Sequence, residues 1–114
     1  MNKREIGSRY ESMAADYLIG QGYEILARNY QNHRRGEIDL IAKEGRFLVF
    51  VEVKYRKDTG EGDPGEAVSP RKQQRIRKAA LVYLYENRLP MDTPCRFDVV
   101  AVLGKELRLI RNAF

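Results

Sequence analysis

Cysteine is almost absent from the 114 residues, and Cys95 stands alone. A single thiol closes no internal disulfide, and with no CxxC pair there is no zinc site of the usual cysteine spacing. Cys95 precedes an apolar strand-like stretch, so a small core residue is expected there. Long apolar runs are missing too: none reaches the roughly 18 residues that a membrane-spanning helix needs. The charged residues at 1–9 lead into no apolar stretch of signal-peptide type, so the expected compartment is the cytoplasm, without membrane attachment. Histidine is as scarce as cysteine. His33 lies in a polar turn, where a solvated side chain is a simpler reading than a general base. Internal repeats and low-complexity segments are also lacking.

What the chain has in quantity is charge. Charged residues make up 32%, and 21 Lys and Arg against 16 Asp and Glu leave a net charge of +5. With a pI near 9.5, this balance favours an anionic partner, nucleic acid ahead of a membrane surface. Hydrophobic residues make up 43%, enough for a core. The length suits one domain spanning 1–114.

Periodicity orders the elements. Tyr10, Met13, Ala14, Tyr17 and Leu18 form a helical stripe, with Ser8 as the expected cap and Gly20 and Gly22 as the stop. Residues 23–30 read as a strand, 31–36 as a polar turn, 37–42 as a second strand and 47–55 as a third. Gly45 carries the hairpin turn between the last two. A long loop with three glycines and a proline covers 57–69. Ser69-Pro70 then caps a second helix, striped by Ile76, Ala79, Ala80, Tyr83 and Leu84 and stopped by Leu89-Pro90. Strands at 96–103 and 106–111 flank a Gly104-Lys105 turn. The order α-β-β-β-α-β-β predicts an α/β fold, one mixed central sheet flanked by helices.

Strand alternation supplies the chemistry. On the third strand Val49, Val51 and Val53 face one way, and Phe50, Glu52 and Lys54 the other. On the second, Ile38 and Leu40 oppose Glu37, Asp39 and Ile41. A two-residue turn at Glu44-Gly45 would pair Glu37 with Glu52. Asp39 and Glu52 would then be diagonal neighbours, roughly 7–8 Å apart at Cα, on one face. Two such carboxylates suit Mg²⁺ or Mn²⁺. A metal there activates water and polarises a phosphate, and Lys54 beside it steadies developing charge. The competing reading is a solvated sheet face. Fully apolar opposite faces speak against it, because they mark central strands.

Gly36-Glu37-Ile38-Asp39-Leu40-Ile41-Ala42 followed by Val49-Phe50-Val51-Glu52-Val53-Lys54-Tyr55-Arg56 resembles the YraN-like (UPF0102) family. That family is similar to Holliday-junction resolvases in the PD-(D/E)XK nuclease superfamily. Gly7-Ser8-Arg9-Tyr10-Glu11 and Ser69-Pro70-Arg71-Lys72-Gln73 match its helix starts, so the resemblance spans nearly the whole chain. It implies a restriction-endonuclease-like core with Asp39 and Glu52 as metal ligands and Lys54 as catalytic lysine. It further implies Glu11 as a third acid and Gln73 as a supporting polar residue. Ile38 replaces the proline of the superfamily motif, which removes no ligand. Glu37 accompanies Asp39 in the family pattern without an assigned role.

Basic residues crowd the start of the second helix: Arg71, Lys72, Arg75, Arg77 and Lys78. Positive charge there opposes the helix dipole. A phosphate backbone would offset it, and a solvated helix face is the alternative. Arg34 and Arg35 are further phosphate candidates. The acidic 57–69 loop is expected to act as a flap beside the site, and Asp98 to serve a structural ion pair. The function expected is a metal-dependent endonuclease acting on DNA rather than RNA, on branched DNA by resemblance, with a two-fold dimer as the matching assembly. A non-catalytic nucleic-acid-binding module and a purely structural protein are the alternatives. Two carboxylates near phosphate favour the first, since without metal they repel it.

Overall fold

The computed structural model describes residues 2–31, 36–56 and 68–114. Its element order is α1 (Lys3–Gly20), β1 (Glu24–Gln31), β2 (Glu37–Glu44), β3 (Phe47–Arg56), α2 (Pro70–Glu86), β4 (Cys95–Leu103) and β5 (Glu106–Ile110). This is the α-β-β-β-α-β-β order expected from the sequence. The five strands form one sheet in chain order. Only β3 and β4 run parallel, with α2 in their connection, and every other neighbour is antiparallel. The fold is α/β with a mixed sheet. Among the described residues no helix is long and apolar enough to cross a membrane.

Each helix start has a local cause. Ser69 accepts from the Lys72 amide at 3.2 Å, and Pro70 occupies the first turn of α2. In α1 the cap is Asn2, which accepts from the Glu5 amide at 2.9 Å, and Ser8 lies inside the helix. The apolar stripe begins only at Tyr10. The cap therefore lies eight residues ahead of Tyr10, the first residue of the stripe.

The β2–β3 hairpin differs by one position from the expected turn. Its two-residue loop is Gly45-Arg46, with Glu44 paired to Phe47. Glu44 stays in the strand because its carboxylate is anchored sideways, by Arg96 at 2.8 Å and Arg111 at 2.5 Å. Gly45 takes the positive φ that the turn requires.

The sheet separates two apolar layers. On one side Ala14, Ala15 and Leu18 of α1 pack on Leu40, Ala42, Val49, Val51 and Val53. On the other, Ile76, Ala79, Ala80 and Leu84 of α2 pack on Ile41, Phe50 and Val99. Phe50 is fully buried, and removing its ring would cost about 3–5 kcal/mol. The valine and phenylalanine faces of β3 are those that alternation predicts. In β2 the alternation lapses: Ile38 packs in the α2 layer and Leu40 in the α1 layer, as Ile41 returns to the α2 side. Asp39 lies at that break.

Asp98 is fully buried and belongs to an ion pair, as expected. Its oxygens accept from Arg96 Nε and Nη2 at 2.9 Å, from the Tyr23 hydroxyl at 2.8 Å and from the Asn112 amide at 3.0 Å. Burial, then the Asp98 contact, pushes the Tyr23 hydroxyl up to about 12. Cys95 is half-buried against the α2 layer, with Sγ 3.2 Å from the Thr93 carbonyl. Burial raises its thiol.

Candidate functional site

The paired register of β2 and β3 ends at Leu40 and Val51, and Asp39 and Glu52 are the next residue on each strand. The shift of the turn by one residue replaces the expected Asp39–Phe50 pairing by Ile41–Phe50. Asp39 Oδ2 accepts from the Val53 amide at 2.8 Å, so a side chain holds a main-chain donor of the neighbouring strand. Glu11 of α1 hydrogen-bonds to Asp39 and to Asn29. Glu52 is 5% exposed and pairs with Lys72 of α2, Nζ to Oε1 at 2.8 Å. Carboxyls from three elements therefore meet, with an ammonium from a fourth.

The electrostatics follow from that crowding. Burial, then the Glu52 charge, pushes the Asp39 carboxyl up to about 8, and Glu11 adds to the rise. The Val53 amide and Lys72 act the other way without overcoming it. Burial also raises Glu11, against the hydrogen bonds from Asn29 and Asp39. Burial and the neighbouring Glu52 and Glu11 thus favour the protonated form of Asp39, as expected of like acids held close together. Burial alone would lower Lys72, but its hydrogen bond and charge pairing with Glu52, together with Asp39 and Glu37, outweigh it and the net shift is upward.

Helical spacing explains how the helices reach the sheet. Glu11 stands four residues before Ala15, at the head of the buried stripe of α1. Lys72 stands four before Ile76, at the head of the buried stripe of α2. Both side chains therefore extend an apolar face, one on each side of the sheet.

Beside Lys72 runs a groove of about 440 Å³, lined among others by Gly36, Glu37, Ser69, Arg71, Lys72 and Arg75. Gly36 has φ +112, and a Cβ there would meet the Arg75 carbonyl at 3.2 Å. Glycine is what lets the start of β2 approach α2 so closely. Arg71, Arg75 and Lys78 are exposed on α2 at positions that share a helix face. Arg77 does something else: its guanidinium lies over the rings of Phe97 and Phe114, at 4.6 and 5.5 Å.

Of the other site residues, Lys54 is half-buried two positions beyond Glu52 on β3. Gln73 donates to the Val68 carbonyl at 2.9 Å and so ties the first turn of α2 to the preceding backbone. Glu37 is exposed and accepts from Gln31 at 3.3 Å. Arg34, Arg35 and His33 lie outside the described residues, as does 57–67 of the expected flap.

Glu11, Asp39 and Glu52 are hard oxygen donors, the set that divalent cations of the Mg²⁺ type prefer. They fit such an ion by chemistry. Among the described residues, no three His, Cys, Asp or Glu side chains are already arranged to ligate one. No buried side-chain nitrogen or oxygen there lacks a hydrogen-bond partner. An ion that takes Glu52 Oε1 as a ligand meets the Lys72 ammonium already there.

A family model described as "Uncharacterised protein family UPF0102" matches residues 10–102. The chain belongs to the UPF0102 family. A UPF0102 protein of Lachnoclostridium phytofermentans is 57% identical over all of this chain and 96% of its own length. One of Carboxydothermus hydrogenoformans is 44% identical over the same span and 95% of its own length. A Klebsiella pneumoniae relative is 42% identical over 97% of this chain and 87% of its own. The matched region of this UPF0102 chain contains Glu11, Asp39, Glu52, Lys54 and Lys72.

Sequence reasoning missed two features of the cluster. One is the pairing of Lys72, a residue named among the expected nucleic-acid contacts, with Glu52. The spacing of Lys72 from Ile76 was the available signal. Asn29 has φ +51 within β1, and its side chain reaches Glu11. Asparagine tolerates that backbone region, but nothing in the local pattern marks the kink.

Proposed function

We propose that this UPF0102 protein is a divalent-metal-dependent nuclease that hydrolyses phosphodiester bonds in DNA. Asp39 and Glu52 are its principal metal ligands, Glu11 is a third acid and Lys54 is the catalytic ammonium. One observation carries the reading: the Asp39 carboxyl is held among Glu52 and Glu11, far above its ordinary pKa. Gathering like charges in a partly buried place destabilises the fold, and a solvated sheet face has no need of it. A bound Mg²⁺ or Mn²⁺ would offset the repulsion, activate water and polarise a phosphate oxygen.

The chain's own residues divide the remaining work. Arg71, Arg75 and Lys78 line or flank the groove beside the acids, where a phosphate backbone docks. Lys54 faces the charge that develops on the phosphorus oxygens. Gln73, through Val68, and Ser69 hold the first turn of α2 and with it the groove wall.

A non-catalytic nucleic-acid-binding module is the second reading. The Lys72–Glu52 ion pair favours it, because it neutralises one acid without metal. A cleavage panel of linear, flapped and four-way DNA with Mg²⁺ or Mn²⁺ separates the two. Metal-dependent cutting that is lost in Asp39→Asn and Glu52→Gln supports the nuclease. Metal-independent binding with no cutting by the parent protein supports the module.

A further inference from the structure

We infer that Lys72 is an exchangeable counter-ion: it holds Glu52 while the site has no cation, and hands it over when a divalent ion binds. The inference rests on the metal-site reading above and extends it to the residue that gates it.

The geometry of the pair is asymmetric. Glu52 is buried in β3 at 5% exposure, whereas the Lys72 side chain is 48% exposed on the first turn of α2. The carboxylate is fixed by the sheet, and the ammonium arrives on a long flexible stem. Only the lysine is free to leave without moving a strand. The ammonium occupies Oε1 of Glu52 at 2.8 Å, so a cation that takes that oxygen as a ligand meets a like charge beside it. The Lys72 contact is the one that an ion can replace like for like, positive charge for positive charge.

The place to which Lys72 would go is also present. The same side chain lines the groove shared with Arg71 and Arg75. A lysine that swings off Glu52 joins two guanidinium groups on one wall. The ligand suited to that wall is the phosphodiester backbone of a nucleic acid. Before exchange, the ammonium neutralises Glu52. Afterwards the cation does so, and the ammonium is available to phosphate. Lys72 is thus a positioning residue that couples loading of the acids to the charge of the groove.

The test compares Mn²⁺ affinity, by calorimetry and by the electron paramagnetic resonance of free Mn²⁺, in the parent protein, Lys72→Met and Lys72→Arg. Loss of the competing charge is expected to tighten Mn²⁺ binding about tenfold in Lys72→Met. Lys72→Arg, which keeps the charge, is expected to bind as the parent does. Reductive methylation followed by mass spectrometry gives a second readout: Lys72 should react faster once Mg²⁺ is added. Equal or weaker Mn²⁺ binding by Lys72→Met overturns the exchange, as does a Lys72 reactivity that Mg²⁺ leaves unchanged. If neither parent nor Lys72→Met binds Mn²⁺, the metal site itself falls and the exchange with it. If Mn²⁺ binds in the expected order and no DNA is cut, the exchange stands and the nuclease does not.

Discussion

The Asp39 carboxylate group accepts the Val53 amide across the boundary of two central strands, at 2.8 Å. One oxygen of a candidate metal ligand is thus committed to holding the sheet together at the point where β2 changes its facing. Structure and chemistry depend on the same side chain, and the two contributions can be separated by pH.

In the folded protein Asp39 titrates at about 8, against an ordinary 3.8. Between those values the folded state keeps a proton that the unfolded chain has released. Stability must then fall as pH rises through that window and level off above it. Asp39→Asn keeps an oxygen for the Val53 amide and cannot ionise. Its melting temperature relative to the parent, measured without divalent ions, should climb steadily from pH 4 to pH 8. A constant difference across that range would mean that Asp39 is not held protonated.

Lys54 and the acids should fail differently. Lys54→Met is expected to retain Mn²⁺ binding and to lose about 10²–10³-fold in single-turnover cleavage, the usual cost of one charge-stabilising donor. Asp39→Asn and Glu52→Gln should lose both metal binding and cleavage. Parallel calorimetry and cleavage assays on the three variants distinguish ligand from ammonium.

The groove arginines should contribute through phosphate alone. For Arg75→Ala or Arg71→Ala, the slope of log K against log salt for duplex DNA should fall by about 1, and binding should weaken alike for unrelated sequences. Fluorescence anisotropy across a salt series gives the slope. An unchanged slope removes that arginine from the interface.

Gly36 links the groove to the backbone. Gly36→Ala introduces a methyl group 3.2 Å from the Arg75 carbonyl at φ +112. It should cost about 1–3 kcal/mol in urea unfolding and loosen DNA binding together with stability. A variant of full stability would show that β2 and α2 do not meet so closely.

Asp98 provides the contrast, because its network is remote from the acids in role. Asp98→Ala leaves the Arg96 guanidinium with one carboxylate fewer and removes acceptors from Tyr23 and the Asn112 amide. The expected loss is about 3–5 kcal/mol in equilibrium unfolding. Mn²⁺ affinity of the remaining folded protein should not change.

Much of this molecule was legible in one dimension. Tyr10 to Leu18 and Ile76 to Leu84 repeat at helical spacing, the valines of β3 repeat at strand spacing, and Ser69-Pro70 announces a cap. These are properties of neighbours along the chain, and short-range sterics and hydrogen bonding settle them. Hence the element order and the opposed faces of β3 could be read directly. So could the grouping of Asp39, Glu52 and Glu11, through the family resemblance. The tertiary structure decided the rest. Glu44 stays in β2, where Arg96 and Arg111, far along the chain, hold its carboxylate, and the turn falls one residue later, which pairs Leu40 with Val51. The kink at Asn29, the lapse of alternation at Asp39 and the pairing of Lys72 with Glu52 likewise arise between segments distant in sequence. Charges have range and side chains have length, so which acid meets which ammonium depends on how helices settle on a sheet, and no local pattern carries that information.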